Sequence, residues 1–97
     1  MKKEEKVSTV DIIVLVKDSP EVTAKCFRKL KAYTNKEDYR LIAVDQGSSE
    51  ATKHIINKYA DKVIALTENI GFTKAVNLAL NEVKNPFFCL LTLSLLN

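Results

Sequence analysis

The sequence is poor in the residues that most often announce a site. It has one histidine, two cysteines and two glycines in 97 residues. His54 has no second metal ligand and no acid at catalytic spacing, so it reads as a surface histidine. Cys26 and Cys89 are far apart, form no CxxC and sit among apolar neighbours. That excludes a disulfide scaffold and a zinc ribbon, and predicts two buried, reduced thiols in a cytoplasmic protein. No apolar run reaches the roughly 18–20 residues that a membrane-spanning helix needs. The opening "MKKEEK" is a solvated mixed-charge tail with no apolar h-region, so it is not a signal peptide. Charge of one sign is also scarce. Fifteen basic and twelve acidic residues leave a net +3 and are interspersed, which argues against nucleic acid as a partner. Repeats, low-complexity segments and interdomain linkers are absent, so residues 1–97 read as a single domain.

What is present is an alternation. "DIIVLV" (11–16), "YRLIAV" (39–44), "KVIAL" (62–66) and the final run 87–95 are short, apolar and rich in β-branched residues. Near-continuous hydrophobicity is the mark of a strand covered on both faces. Helical spacing fills the gaps between them. Val22, Cys26, Phe27, Leu30 and Tyr33 share one face of a helix that starts at Pro20, with Ser19 as N-cap, and runs to about residue 34. Ser48 or Ser49 caps a second helix reaching Tyr59, with Ile55, Ile56 and Tyr59 inward. A third, over about 72–84, puts Ala75, Leu78, Ala79 and Val83 on one side. The order β-α-β-α-β-α-β predicts a Rossmann-like α/β three-layer sandwich around a four-stranded parallel sheet. In such sheets ligands sit beyond the carboxyl ends of the strands. Those ends carry "KDSP", "DQGSS", "TENIG" and "LSLLN". A receiver-type domain would need an acid cluster at that rim, and only Asp18 and Asp45 qualify.

Three stretches say more than fold class: "VDIIVLVKDSPEVTAKCFRKLKAYTN", "LIAVDQGSSEAT" and "TENIGFTKAVNLAL". In this order and at these strand ends, they resemble the nucleotide-binding half of the family 2 glycosyltransferases, which have the GT-A fold. Those proteins show an opening like SIIIVTYN, then VVDDGSTDGT, then ENxGxxxAxNxG, then a strand ending in Asp-x-Asp. The resemblance implies strand order 3-2-1-4. It implies a nucleotide or nucleotide-sugar partner, with Asp45 accepting the N3–H of uracil and Lys74 near the base or diphosphate. Gly71 would supply a permissive backbone before a helix N-terminus suited to phosphate, and Asp18 would stand at the same rim. Plainer roles stand beside these: Asp45 as a turn cap, Lys74 as a solvated helix lysine, Asn77 as a bond to a neighbouring loop.

The departures matter as much. The family binds Mn²⁺ or Mg²⁺ with its UDP-sugar through the Asp-x-Asp acids. That slot reads Leu93-Ser94-Leu95 here, or Thr92 and Ser94 one residue earlier. Hard cations want carboxylate oxygens, so no bound metal is expected. Tyr-Asn becomes Lys17-Asp18, the second turn Asp becomes Gln46, and the Gly two places after Asn77 becomes Ala79. No stretch corresponds to the acceptor-binding half with its catalytic base. The expectation is a glycosyltransferase-like nucleotide-sugar-binding domain, inactive as this chain. The alternative is a non-catalytic interaction or regulatory module, associating with itself or a partner through the apolar C-terminal strand.

Overall fold

The computed structural model describes residues 9–92, with Thr92 described by its backbone alone. The leading "MKKEEK" and the slot Leu93-Ser94-Leu95 therefore lie outside the described residues. The elements run β1 (Val10–Val16), α1 (Pro20–Tyr33), β2 (Tyr39–Gln46), α2 (Glu50–Tyr59), β3 (Lys62–Leu66), α3 (Phe72–Leu80) and β4 (Phe87–Thr92), with one 3₁₀ turn at Lys36–Asp38 before β2. All pairings are parallel and the order is β3-β2-β1-β4, as the resemblance implies.

The strand sequences explain the layering. Side chains alternate across a strand, so a strand that is apolar at every position needs cover on both sides. One face carries Ile12, Val14, Val16, Leu41 and Ala43, packed with Cys26 and Phe27 of α1 and Ile56 of α2. The other carries Ile13, Ile42 and Val44, packed with Ala75 and Ala79 of α3. The small residues of α3 let that helix lie close over β1 and β2. Ile55 and Tyr59 join the first core as expected, Tyr59 with its ring centroid 5.9 Å from that of Phe27.

The structure corrects several local expectations. β2 runs two residues further, to Gln46, because Gln46 is itself buried. α3 stops at Leu80, well short of residue 84. Its continuation is captured by a strand: Asp11, fully buried in β1, accepts from the Lys84 and Asn85 backbone N–H groups at 2.6 and 3.1 Å. A carboxylate that binds two successive amides draws that segment out of helical geometry. Leu78, expected inward, is exposed, because only Ala75 and Ala79 meet the sheet. Tyr33 is exposed at the end of α1, past Leu30, the last residue of that helix to reach the core. Ser19 occupies the N-cap position of α1 but its hydroxyl caps no helix N–H, and bonds the Lys17 carbonyl instead. Cys26 is buried as expected, whereas Cys89 is exposed on the edge strand β4. Among the described residues no helix is long and apolar enough to cross a membrane.

Candidate functional site

At the carboxyl rim, Asp18 ties the loop after β1 to the loop after β2, and Asp45 closes the second loop on itself. Asp18 lies in the left-handed region, φ 38°, a conformation that Asp and Asn tolerate better than other side chains. There its backbone N–H donates to Ser48 Oγ at 3.0 Å. Its Oδ1 accepts from Ser49 N at 3.1 Å, Ser49 Oγ at 2.6 Å and Thr52 Oγ1 at 3.1 Å. Ser49 stands at the N-cap position of α2, but its own side chain makes no cap. Asp18 does that work from the neighbouring loop, placing a negative charge at the positive end of α2. The Ser49 and Thr52 bonds hold its pKa below the usual carboxylate range.

Asp45 ends β2 and is 2% exposed. Oδ1 accepts from Ser48 N at 2.9 Å and closes the turn. Oδ2 accepts from Lys53 Nζ at 2.7 Å. Burial alone would raise its pKa, but Lys53 and Ser48 outweigh burial and hold it low. In return, the bond to Asp45 raises the pKa of Lys53. Ser48 thus joins both acids, with its hydroxyl on Asp18 and its amide on Asp45.

The third loop is attached through Gln46, whose Oε1 accepts from Ile70 N at 3.0 Å. That fixes the approach to Gly71, which begins α3 at φ 94°. Of the residues singled out from sequence, Asp18, Asp45 and Gly71 belong to this rim. Lys74 is exposed on the first turn of α3 and forms no part of the carboxylate network. Asn77 is exposed as well, and among the described residues its side chain makes no bond to a neighbouring loop. His54 is exposed, in keeping with its reading as a surface residue.

Sequence reasoning did not single out Thr52 and Lys53. Both sit in a helical run where Thr and Lys look like ordinary helix residues. Only the turn at Gly47 folds α2 back far enough for Lys53, eight positions on, to reach Asp45.

With the rim in view, three likenesses bear on it. The family model described as glycosyl transferase family 2 matches residues 11–92. The chain belongs to that family. A teichoic acid poly(glycerol phosphate) polymerase from Staphylococcus epidermidis is 35% identical over 86 residues, covering 82% of this chain and 12% of that protein. A mannosyltransferase from Pyrobaculum calidifontis, solved in complex with GDP-Man and Mn²⁺, superposes with a TM-score of 0.62 at 19% identity. That match covers 77% of this chain and 24% of the mannosyltransferase, and supports the GT-A fold. This family 2 chain therefore spans about an eighth of the polymerase and a quarter of the mannosyltransferase.

The divalent cation that the family implies does not fit the residues present. Leu93-Ser94-Leu95 offers one neutral hydroxyl where two carboxylates are wanted. Asp45 is engaged on both oxygens, by an amide and an ammonium, and Asp18 on Oδ1 by hydroxyls and an amide. Among the described residues no three His, Cys, Asp or Glu side chains gather closely enough to hold a metal ion.

Proposed function

We propose that this chain is the nucleotide-recognising unit of a family 2 glycosyltransferase and that it transfers no sugar by itself. One observation carries the reading. Asp45, which the resemblance matches to a base-binding acid, lies at the end of β2 in a rim that also holds Asp18 and the Gly71 turn before α3. A nucleoside diphosphate would enter there, with the base toward Asp45 and the phosphates toward the N-terminus of α3, where free amide groups favour anions. Lys74, on the first turn of α3, supplies a cation on the phosphate side. Transfer needs charge compensation for the departing diphosphate and a base for the acceptor hydroxyl. Leu93 and Leu95 supply neither.

The test is amide chemical-shift mapping with UDP and GDP. Shifts are expected at Asp45, Ser48, Gly71 and Lys74, with a dissociation constant on the order of millimolar, about 4 kcal/mol. Perturbation confined to the opposite rim, around Tyr39 and Asp61, would sink the placement. A radiolabelled UDP-sugar assay with Mn²⁺ is expected to stay at the no-protein background, and turnover abolished by Asp45→Ala would contradict that.

A second reading, an interaction module, is favoured by the exposure of β4. Phe87 and Phe88 are 66% and 51% exposed on a strand whose outer edge is unpaired among the described residues. Such an edge is a template for another strand. The purified chain is expected to self-associate with rising concentration in sedimentation equilibrium, and Phe87→Ser with Phe88→Ser to shift it toward monomer. A wild-type monomer across the whole concentration range would remove this reading.

A further inference from the structure

Opposite the carboxyl rim, a cavity of about 250 Å³ opens at the start of β2, between the last turns of α1 and α2. Phe27, Leu41 and Tyr59 give it an apolar wall. Its polar side chains are almost all donors. Lys31 and Lys58 stand over the Tyr59 ring, at 6.0 and 5.5 Å from its centroid. An aromatic face attracts an ammonium without satisfying its hydrogen-bond donors. Among the described residues neither lysine is paired with a carboxylate. Lys36 is paired, because Asp61 holds it with both oxygens, at 3.0 and 2.9 Å. Asp61 also accepts from Leu41 N at 2.7 Å, so the one acid of the lining is fully engaged. Tyr39 is 4% exposed, and among the described residues its hydroxyl makes no hydrogen bond. Of the described buried side-chain polar atoms, only Thr23 Oγ1 is sealed off without a partner. The Tyr39 hydroxyl is therefore still accessible, an idle donor on a ring that lines the cavity. Burial raises its pKa, which keeps its proton in place.

We propose that this cavity binds a small phosphate monoester with an aromatic body, its dianion held by Lys31, Lys58 and the Tyr39 hydroxyl and its ring set against Phe27, Leu41 and Tyr59. The site lies at the amino ends of the strands and is independent of the nucleotide reading above. Donors without a free acceptor select an anion. Three lysines against one aspartate leave the lining with two positive charges in excess, and a phosphate monoester carries nearly two negative ones at neutral pH. A lysine in the last turn of a helix also answers the negative end of its dipole. That accounts for one lysine on each helix. It does not account for two ammoniums gathered on one ring, nor for the idle phenol beside them. A dianion relieves the repulsion between the ammoniums and gives the hydroxyl an acceptor. Bare phosphate would leave the apolar wall wet. An aromatic ring removes that wall from water and meets Tyr59 in the offset or edge-on geometry that ring pairs prefer.

Phenyl phosphate is the smallest probe with both parts. It is titrated by NMR into the native chain beside phenyl sulfate, which has the same shape and one charge, and inorganic phosphate, which has no ring. Saturable amide shifts are expected at Lys31, Tyr39, Lys58 and Ala60, with phenyl phosphate about fivefold tighter than either control, the scale of one exposed ion pair. Tyr39→Phe removes only the hydroxyl, which bonds nothing in the free chain. Its urea midpoint should match the native one while its affinity falls about fivefold, the scale of one hydrogen bond. Lys31→Met with Lys58→Met should lose about tenfold or more. Lys25→Met with Lys29→Met removes two exposed α1 lysines outside the cavity and should lose about twofold at most, because salt screens distant charges. Inorganic phosphate binding as tightly as phenyl phosphate would mean an adventitious ion only. Equal binding of phenyl sulfate would overturn the dianion, and unchanged affinity in Tyr39→Phe would overturn the hydroxyl's part. Equal losses in the two double variants would reduce the site to general surface charge, and no shift at the cavity residues would remove it. Ser48 and Gly71, at the other rim, report the nucleotide reading separately.

Discussion

Replacing Asp11 with alanine is expected to cost about 3–5 kcal/mol of stability, the range for breaking a buried charged cluster by removing one partner. Its carboxylate is fully buried and accepts from Lys84 N, Asn85 N and Asn85 Nδ2, the last at 2.7 Å, with Arg40 Nη1 at 3.5 Å. Alanine would remove their shared acceptor and leave a small void. Among the described residues, the Arg40 guanidinium would keep its bond to the Glu82 carbonyl. Small domains hold only about 5–15 kcal/mol in total, so the variant should melt far below the native chain in urea. A loss under about 1 kcal/mol would mean the cluster is solvated and contributes little.

Acid should act on the same residue. Burial pushes the Asp11 pKa up, but the Lys84 and Asn85 groups and Arg40 outweigh it and leave it lowered. A carboxylate with a depressed folded-state pKa contributes stability above its unfolded pKa and loses it as pH falls through the folded value. Asp18 and Asp45 are lowered too. Stability is therefore expected to be level near neutrality and to fall below roughly pH 4, with a shallower fall in Asp11→Ala.

Gly47→Ala is expected to be the second large effect, about 2–4 kcal/mol from left-handed strain and overpacking together. Gly47 sits at φ 75°, and a Cβ there would stand 2.9 Å from the Thr67 carbonyl oxygen. That oxygen is backbone and has nowhere to retreat. Gly71 supplies the control. At φ 94° and ψ 165° it lies in a region that is essentially glycine's alone, but a Cβ there meets nothing within 4 Å. Gly71→Ala should therefore cost only the strain, about 1–3 kcal/mol. Equal urea midpoints for the two variants would show that the contact with Thr67 is relieved by movement. Gly47 also lies between Asp45 and Ser48, so its variant should loosen the turn that Asp45 closes, and the Ser48 amide resonance should report it.

The sheet was legible because its signal is redundant. Four runs apolar at nearly every position read as strands, and the intervening 3.6-residue stripes supply the covers, fully over β1 and β2 but only partly over β3 and over β4, where Phe87, Phe88 and Cys89 stay exposed. Asp11 was hidden inside such a run. One polar letter at the head of "DIIVLV" looks like a boundary, and nothing local tells that residues 84 and 85 bind it. α3 was overextended for the same reason, since Val83 continues the helical period and the force that ends the helix comes from another strand. At the rim, the positions of Asp45 after β2 and Gly71 before α3 were legible because strand ends are fixed by topology. The partners of Asp45 were not readable. Either the turn amide or a base edge satisfies a carboxylate at a strand end, and the ammonium that competes for it comes from a helix whose path depends on one glycine.

The bonds from Lys84 and Asn85 to Asp11 span 73 and 74 residues of chain. During synthesis at about 5–20 residues per second, β1, β2 and β3 leave the ribosome seconds before β4 does. In that interval β1 is an edge, with Asp11 bare beside Ile12 and Ile13. A hydrated carboxylate at the head of an open strand hinders pairing with a stray chain. The residue that later anchors the finished domain thus guards the unfinished one, and a neutral replacement would show its harm first as lost soluble yield.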